Sequence, residues 1–161
     1  MEQKKGKRYV TLNETALQEI FSDVYRRADI EACGVLLGSS SNNSWDVEHV
    51  HPLRNIADSS VYFEFAPEDL LAVELAYPGQ IVGVYHSHPT GYARASSIDE
   101  ENMRRINQEE AIPWIWLIIC GPFDTSTQQQ EAPDILEKRI IAYYHDQEEG
   151  LESVPIDYQK P

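Results

Sequence analysis

The stretch that decides the fold is residues 82–99, VGVYHSHPTGYARASSID. It begins as a β-strand, in which alternate side chains share a face, so His86 and His88 point the same way. The proline and glycine that follow end the strand, and the serine-rich, acidic run predicts a helix start that returns Ser96 and Asp99 towards the histidines. Two imidazole nitrogens and one carboxylate are the usual protein ligands of a catalytic zinc, with a fourth position left to water.

Each part of this stretch also has an ordinary structural explanation. Histidines often fill half-buried strand positions without binding a metal. Both Ser96-x-x-Asp99 and Ser97-x-x-Glu100 fit the pattern of a helix N-cap. The structural and functional roles are compatible if Ser97 caps the helix while Ser96 and Asp99 face the metal.

Length and charge limit the kinds of protein that this chain can be. Its 161 residues, of which 42% are hydrophobic, predict a single domain over residues 1–161 with an ordinary core. Lys and Arg number 13 against 27 Asp and Glu, a formal net charge of −14. Such a surplus repels phosphate backbones and anionic membranes, so we expect no nucleic-acid partner and no membrane partner. The sequence does not decide the oligomeric state.

The cysteines and the first residues predict a cytoplasmic protein. Cys33 and Cys120 lie far apart without metal-binding spacing, so we expect reduced, structural thiols. The first ten residues are basic but lack the apolar core of a signal peptide, and no window approaches the roughly 20 apolar residues of a spanning helix.

Periodicity predicts a mixed α/β fold in which about three helices cover a curved sheet. The run at 114–120 is the most continuously apolar and should be a central strand. A polar stretch over 124–134 has no apolar period and predicts a mobile loop. The predicted helices cover residues 14–27, with Asn13 as the cap, 67–77 and 99–110, and the predicted strands cover 8–12, 30–38, 45–51, 61–65, 82–88, 139–144 and 151–156.

Three further polar residues need an interpretation. Glu31 stands at the entrance of a strand, where a carboxylate is either solvated or a placed acid or base. His49 and His51 form a second His-x-His pair, but no acidic residue follows at a helix start to supply a third ligand. We therefore interpret that pair as structural.

The spaced string HSHP at 86–89 and SSID at 96–99, with EACG upstream at 31–34, resembles the JAMM metalloprotease signature of MPN domains. The order of elements is also similar to that family over most of residues 8–156. One departure is Ala95, where many members place a proline. The resemblance implies the MPN architecture, which is cytidine-deaminase-like, although the deaminase motifs HxE and PCxxC are absent from this sequence.

The resemblance also implies roles for individual residues. His86, His88 and Asp99 would ligate one Zn²⁺ per chain together with a catalytic water. Glu31 would be the general base towards that water and then the acid towards the leaving amine, and Ser96 would hydrogen-bond the oxyanion. The implied activity is that of a zinc metallopeptidase that hydrolyses an amide or isopeptide bond.

Compact stand-alone relatives imply a substrate class. They resemble peptidases that act after the carboxy-terminal Gly-Gly of small ubiquitin-like or sulfur-carrier proteins. Such a tail could add to a sheet edge beside the metal, with Arg94 as a possible carboxylate anchor or simply a solvated cation. The alternatives are a peptidase of small or cell-wall peptides and a non-catalytic MPN scaffold that binds protein partners.

Overall fold

A computed structural model describes residues 6–92, 94–123 and 133–159. In this part of the chain, helices and strands are interspersed, as expected for a mixed α/β fold. The strands are β1 (Tyr9–Asn13), β2 (Cys33–Ser41), β3 (Ser44–Leu53), β4 (Ile81–His88), β5 (Ile115–Cys120), β6 (Ile140–Asp146), β7 (Gly150–Val154) and β8 (Ile156–Gln159). The helices are α1 (Glu14–Arg26), α2 (Pro67–Ala76), α3 (Ser97–Arg104) and α4 (Pro133–Glu137), and a π-helical turn, Arg105–Glu109, follows α3.

The strands form one sheet in the order β7-β6-β5-β4-β2-β3-β1-β8. β4 lies in its interior, antiparallel to β2 and parallel to β5. Every residue of β5 is buried, as expected for a central strand with both faces covered. The predicted mixed α/β fold is therefore confirmed.

Helices cover both faces of the sheet. Asn13 caps α1 as predicted, because its Oδ1 accepts a hydrogen bond from the Ala16 amide at 2.8 Å. The buried stripe of α1 packs on one face, and Met103 of α3 packs with Trp116 and Ile118 on the other. No helix in the described ranges is long and apolar enough to cross a membrane.

A close approach between β2 and β4 fixes the sheet behind the candidate site. Gly34 lies opposite Tyr85, and a Cβ at Gly34 would lie 2.5 Å from the His51 carbonyl oxygen and 2.6 Å from the Tyr85 ring. Only glycine leaves room for that ring. The Tyr85 hydroxyl then donates to Asp23 of α1 at 2.7 Å, and Arg27 binds the same carboxylate at 2.6 Å.

Residues 61–65 do not form the strand that the sequence predicts. The Glu64 amide donates to Asn55 Oδ1 at 3.1 Å, and the Glu64 carbonyl accepts from the Ile56 amide at 3.0 Å. The segment therefore folds back on its own beginning instead of joining the sheet.

Other predicted boundaries also change. The helix predicted over 99–110 begins at Ser97, and its last residues form the π-helical turn. The edge strand predicted over 151–156 is divided at Pro155, which has no N–H for a strand ladder. Most of the loop predicted over 124–134 lies outside the described residues, and Pro133 begins the unpredicted helix α4.

The sheet is curved until its two ends meet. β7 and β8 are the terminal strands of the sheet, yet only Pro155 separates them in sequence. The Pro155 carbonyl accepts from the Val10 amide of β1 at 2.9 Å. Arg8 binds both Asp146 of β6 and Glu152 of β7 at 2.7 Å. These contacts join the two ends of the sheet.

Candidate metal centre

His86 and His88 lie at the end of β4, and the structure brings their rings together as predicted. Their Nε2 atoms are 3.2 Å apart, and the residues are 1% and 7% exposed. Ser87 between them uses its hydroxyl to accept a hydrogen bond from the Ala32 amide at 2.9 Å. The alternation of the strand thus aims two imidazoles at one point and ties their strand to the segment that enters β2.

Asp99 reaches the histidines from the first turn of α3. Its Oδ1 lies 3.1 Å from His86 Nε2, and its Oδ2 lies 3.0 Å from His88 Nε2. Ser96 is the N-cap, because its hydroxyl oxygen accepts from the Asp99 amide at 3.1 Å and its own amide donates to Asp99 Oδ2 at 3.0 Å. The expectation that Ser97 caps the helix while Ser96 faces the metal is therefore wrong, because Ser96 itself forms the reciprocal capping box with Asp99.

Glu31 comes to the same point from the segment before β2. The antiparallel register pairs Cys33 with His86, so extending it by two residues places Glu31 across from His88. One donor atom from each of Glu31, His86, His88 and Asp99 lies within 4.8 Å of the others, and all four residues are buried. The structure thus assembles the predicted base and the three predicted ligands in one group.

The pKa values of the two carboxyl groups in this cluster are shifted in opposite directions. Burial raises the pKa of Glu31 to about 8, with smaller contributions from His88, which lowers it, and Asp99, which raises it. Burial would also raise the pKa of Asp99, but the hydrogen bonds to His86 and His88 outweigh burial and hold that pKa well below its ordinary value. Asp99 is therefore a carboxylate, whereas Glu31 holds a proton readily.

The tautomer of His88 tests whether a cation fits between these groups. Its Nδ1 lies 2.8 Å from the Tyr92 carbonyl oxygen, which can only accept, so Nδ1 carries the proton of the neutral ring. The Nε2 lone pair then faces the Asp99 carboxylate at 3.0 Å. Two electron-rich atoms at this distance repel each other unless a proton or a metal ion lies between them.

The spacing of the donors also fits a metal ion. In a tetrahedral site with metal–ligand distances of about 2.0–2.1 Å, neighbouring donors lie about 3.3 Å apart. His86 Nε2 and His88 Nε2 lie 3.2 Å apart, and each lies close to a different oxygen of Asp99, at 3.1 Å from Oδ1 and 3.0 Å from Oδ2 respectively. The buried group can therefore hold one small cation, and its geometry does not identify the metal.

A small cleft opens onto this group. It has a volume of about 150 Å³, with Glu31 and His88 among its lining residues and Ser96 on its wall. Since the Ser96 oxygen accepts the Asp99 amide, the hydroxyl hydrogen remains available to donate. The remaining lining residues are Ser60, Val61, Thr90 and Tyr92.

Two secondary predictions have different outcomes. His49 and His51 lie on β3 and take no part in the buried group; His49 instead contacts Glu19 at 2.8 Å. The expectation that a sheet edge lies beside the metal is wrong. The strand that carries the two histidines, β4, lies between β2 and β5 in the sheet. Arg94, the possible carboxylate anchor, is exposed and donates to the Tyr92 hydroxyl at 3.1 Å.

The sequence interpretation missed the 55–64 segment. Phe63 stacks on the His86 ring with centroids 4.6 Å apart, and Val61 and Ser60 line the cleft. The buried side chain of Asn55 holds the segment through several backbone contacts. A single asparagine in a polar stretch gives no pattern by which these contacts could be predicted.

Comparisons with known proteins give the family and the fold of this chain. The family model described as prokaryotic homologs of the JAB domain matches residues 13–133, so the chain belongs to this family. The predicted resemblance to MPN domains is thereby confirmed. The chain is also similar to the solution structure of protein DSY2949 from Desulfitobacterium hafniense, at 22% identity, with a TM-score of 0.69 and 94% of each chain covered. That likeness shows the fold alone, and a search of curated proteins found no match.

Family membership and the buried group together fit a metal-dependent hydrolase. The group supplies two imidazoles and two carboxyl groups, which suffice for three metal ligands and one acid or base.

Proposed function

We propose that this protein is a zinc-dependent peptidase or isopeptidase that hydrolyses an amide bond. The observation that carries the proposal is the convergence of Glu31, His86, His88 and Asp99 within 4.8 Å. A cleft opens onto this group and is lined by Ser96, which can donate a hydrogen bond. Metal ligands, a base and an oxyanion donor therefore surround one position.

His86, His88 and Asp99 would hold the metal ion, one per chain. Zinc suits two imidazoles and a carboxylate, and three protein ligands leave a coordination position open. When bound, zinc lowers the pKa of its water towards about 7 and polarises a carbonyl group. The Tyr92 carbonyl holds the His88 ring in the tautomer that binds through Nε2.

Glu31 would move the protons of the reaction. Its Oε1 is buried and has no hydrogen-bond partner among the described residues, so it is free to accept a proton from the attacking water. A nearby cation favours the carboxylate form and brings the pKa of Glu31 below the value of about 8 set by burial. Water would add to the carbonyl carbon, one of its protons would pass through Glu31 to the leaving nitrogen, and the C–N bond would break to give a carboxylic acid and an amine, which become a carboxylate and an ammonium when the acid's proton passes to the amine.

Ser96 would stabilise the charge that develops on the carbonyl oxygen. Its position is fixed by the capping box with Asp99, so the hydroxyl is oriented before the substrate binds. Preorganised donors of this kind are typically worth about 100- to 1,000-fold in rate.

The dimensions of the cleft support a substrate segment without side chains. Val61 and Tyr92 line the cleft and are 70% and 51% exposed, and the volume of the whole cleft is about 150 Å³. We therefore propose cleavage after the C-terminal Gly-Gly of a small ubiquitin-like or sulfur-carrier protein. Since β4 is an interior strand, the main-chain contacts would come from the loops that line the cleft.

The test is to incubate zinc-loaded protein with ubiquitin-like carriers extended beyond Gly-Gly and to measure intact masses. We expect cleavage after the second glycine, and no cleavage after chelation or with Glu31→Gln. A carrier with valine in place of the last glycine is the matched control, and it should resist cleavage because the cleft has a volume of only about 150 Å³.

Two outcomes would contradict the proposal in different ways. Cleavage of short or cell-wall peptides alone would keep the peptidase activity and replace the substrate class. Zinc binding without zinc-dependent hydrolysis of any of these substrates would indicate a scaffold.

A further inference from the structure

Asn55 is a buried residue whose side chain is fully used by the backbone around the site. It is 7% exposed, and it lies at the start of the segment that the sequence interpretation missed. Its side chain donates from Nδ2 to the carbonyls of Glu31 (3.1 Å), Tyr62 (2.9 Å) and Ser59 (3.5 Å), and accepts at Oδ1 from the amides of Ala57 (3.0 Å) and Glu64 (3.1 Å).

The backbone of Glu31 is held between this segment and β4. Its carbonyl accepts from Asn55, and its amide donates to the Ser59 carbonyl at 2.8 Å. On the other side, Ala32 exchanges hydrogen bonds with Ser87, whose hydroxyl and amide both take part. The position of the base relative to the two histidines thus depends on contacts from both directions.

The same segment forms a wall of the cleft. Ser60 and Val61 line the cleft, and the Phe63 ring stacks on His86 at 4.6 Å. A single side chain, that of Asn55, therefore contacts the backbone of the proposed base and the backbone of the substrate-facing wall.

We propose that Asn55 is a positioning residue that sets Glu31 and the wall at Val61 relative to the metal-binding histidines. The inference rests on the proposed hydrolytic function. Asn55 acts through the Glu31 carbonyl and the loop backbone, not through contact with substrate. A substrate that lies against Val61 meets the base in the right place only while the hydrogen bonds of Asn55 persist.

One substitution separates the two halves of this side chain. Asn55→Asp keeps the shape and leaves an oxygen for the Ala57 and Glu64 amides, but it turns an oxygen towards the Glu31 and Tyr62 carbonyls. Asn55→Ser replaces the amide donors and the amide acceptor with one shorter hydroxyl and adds no charge, so the result does not depend on one variant folding.

Asn107 offers a matched control outside the cleft. It is 6% exposed, and its Nδ2 donates to the carbonyls of Ile112 at 2.9 Å and Trp114 at 3.0 Å. Its Oδ1 accepts from the Trp116 indole and the His145 amide, both at 3.1 Å. Asn107→Asp therefore makes the same chemical change in an equally buried amide.

Steady-state kinetics and zinc content are measured on the folded variants. All should bind one zinc, since no ligand is changed. For Asn55→Asp and Asn55→Ser we expect kcat to fall about 10- to 100-fold and KM to rise, because small displacements of reacting groups have effects of this size. Asn107→Asp should keep kcat and KM within about twofold, because in the described structure its contacts do not reach the cleft.

Amide hydrogen exchange supplies a readout that does not need activity. In both Asn55 variants, exchange at Glu31 should accelerate by about tenfold or more while β5 stays protected, and exchange at Ala57 and Glu64 should accelerate only in Asn55→Ser, which lacks the Oδ1 acceptor. In Asn107→Asp, which loses the donors to the Ile112 and Trp114 carbonyls, exchange should accelerate at the amides of Ile112 and Trp114 instead.

Three results would overturn the inference. The first is unchanged exchange at Glu31 in the Asn55 variants. The second is wild-type kcat and KM in folded Asn55 variants, and the third is an equal loss of rate in Asn107→Asp. Failure of the wild-type protein to hydrolyse any substrate would instead defeat the proposed function, and exchange at Glu31 would still decide whether Asn55 holds the base.

Discussion

The two carboxyl groups of the metal centre differ in their hydrogen-bond partners. Asp99 accepts from the Ser96 amide and faces two imidazoles, so its charge is stabilised from several sides. Glu31 is equally buried, yet its Oε1 has no partner within the described residues. A metal ligand must stay a carboxylate, as the contacts of Asp99 favour, whereas a proton carrier must be able to bind a proton, as the burial of Glu31 favours. The different roles of the two residues therefore follow from their local contacts.

Substitution of these two residues should separate metal binding from turnover. Glu31→Gln keeps the three ligands, so it should retain one zinc while kcat falls about 100- to 10,000-fold through loss of the base. Asp99→Ala removes a ligand and should lose the metal. Zinc content measured on both proteins checks the assignment, and a zinc-replete Asp99→Ala protein would show that Asp99 is not a ligand.

The stability of the metal-free protein should depend on pH through Glu31. Its pKa is about 8 in the folded chain against an ordinary value of 4.5. Between these values the unfolded chain has lost the proton that the folded chain still holds, so stability falls as pH rises. Glutamine does not titrate, so Glu31→Gln should gain stability relative to wild type across this window, by at most about 1.4 kcal/mol per pH unit.

Urea unfolding in the presence of a chelator, at pH values across and above the window, measures this difference. It should grow with pH up to about 8 and then level off. A difference that is the same at every pH would mean that Glu31 ionises as easily in the folded chain as in the unfolded one.

At the scale of elements, the first turn of α3 performs two tasks with one residue. The Ser96 hydroxyl oxygen satisfies the Asp99 amide, and the Ser96 amide holds the Asp99 carboxylate. The helix start therefore fixes a metal ligand and an oxyanion donor together. The helix cap and the functional site are therefore formed by the same two residues, Ser96 and Asp99, and the structural and functional interpretations of this pair do not exclude each other.

Replacement of caps on two helices should distinguish these tasks. Ser96→Ala and Asn13→Ala each remove an N-cap oxygen, so each should lower the free energy of unfolding by about 0.5–2 kcal/mol. Only Ser96→Ala removes a donor at the cleft, and its kcat should fall about 100- to 1,000-fold. Urea unfolding and turnover measured on both variants provide the comparison.

Metal content should stay unchanged in Ser96→Ala, because the backbone amide that holds Asp99 remains. Equal turnover in the two alanine variants would leave Ser96 with the structural task alone.

Elements whose causes are local could be predicted from the sequence. The strand alternation that pairs His86 with His88, the cap at Asn13 and the helix that carries Asp99 all depend on residues within a few positions of one another. The strand expected at 61–65 was wrong because the deciding contact comes from Asn55, whose partners include Glu31, 24 residues away. Such contacts leave no periodic pattern in the chain.

At the scale of the whole molecule, the sheet depends on the junction of its two ends. Arg8 contacts Asp146 and Glu152, which belong to adjacent strands, and Asp146 is 3% exposed. Neither the pairing of β1 with β8 nor this ion pair could be predicted, because residue spacing along the chain does not record which distant strands meet.

Arg8→Ala should weaken that junction. A mostly buried carboxylate loses one of its charged partners, so the free energy of unfolding should fall by about 1.5–3 kcal/mol. Arg54→Ala is the control, because Arg54 is exposed and its pair with Asp69 should contribute little. Urea unfolding measures both, and equal losses would mean that the junction adds nothing beyond a surface ion pair.

The curvature that joins β7 and β8 also affects the order in which the protein can be built during synthesis. β1 pairs Val10 with Ile156, so this pairing waits until Ile156 has left the ribosome. Until then β1 has an open backbone edge, the kind of surface through which nascent chains aggregate. The four residues of the metal centre lie between positions 31 and 99 and depend on interior strands, so they can meet while the sheet is still open.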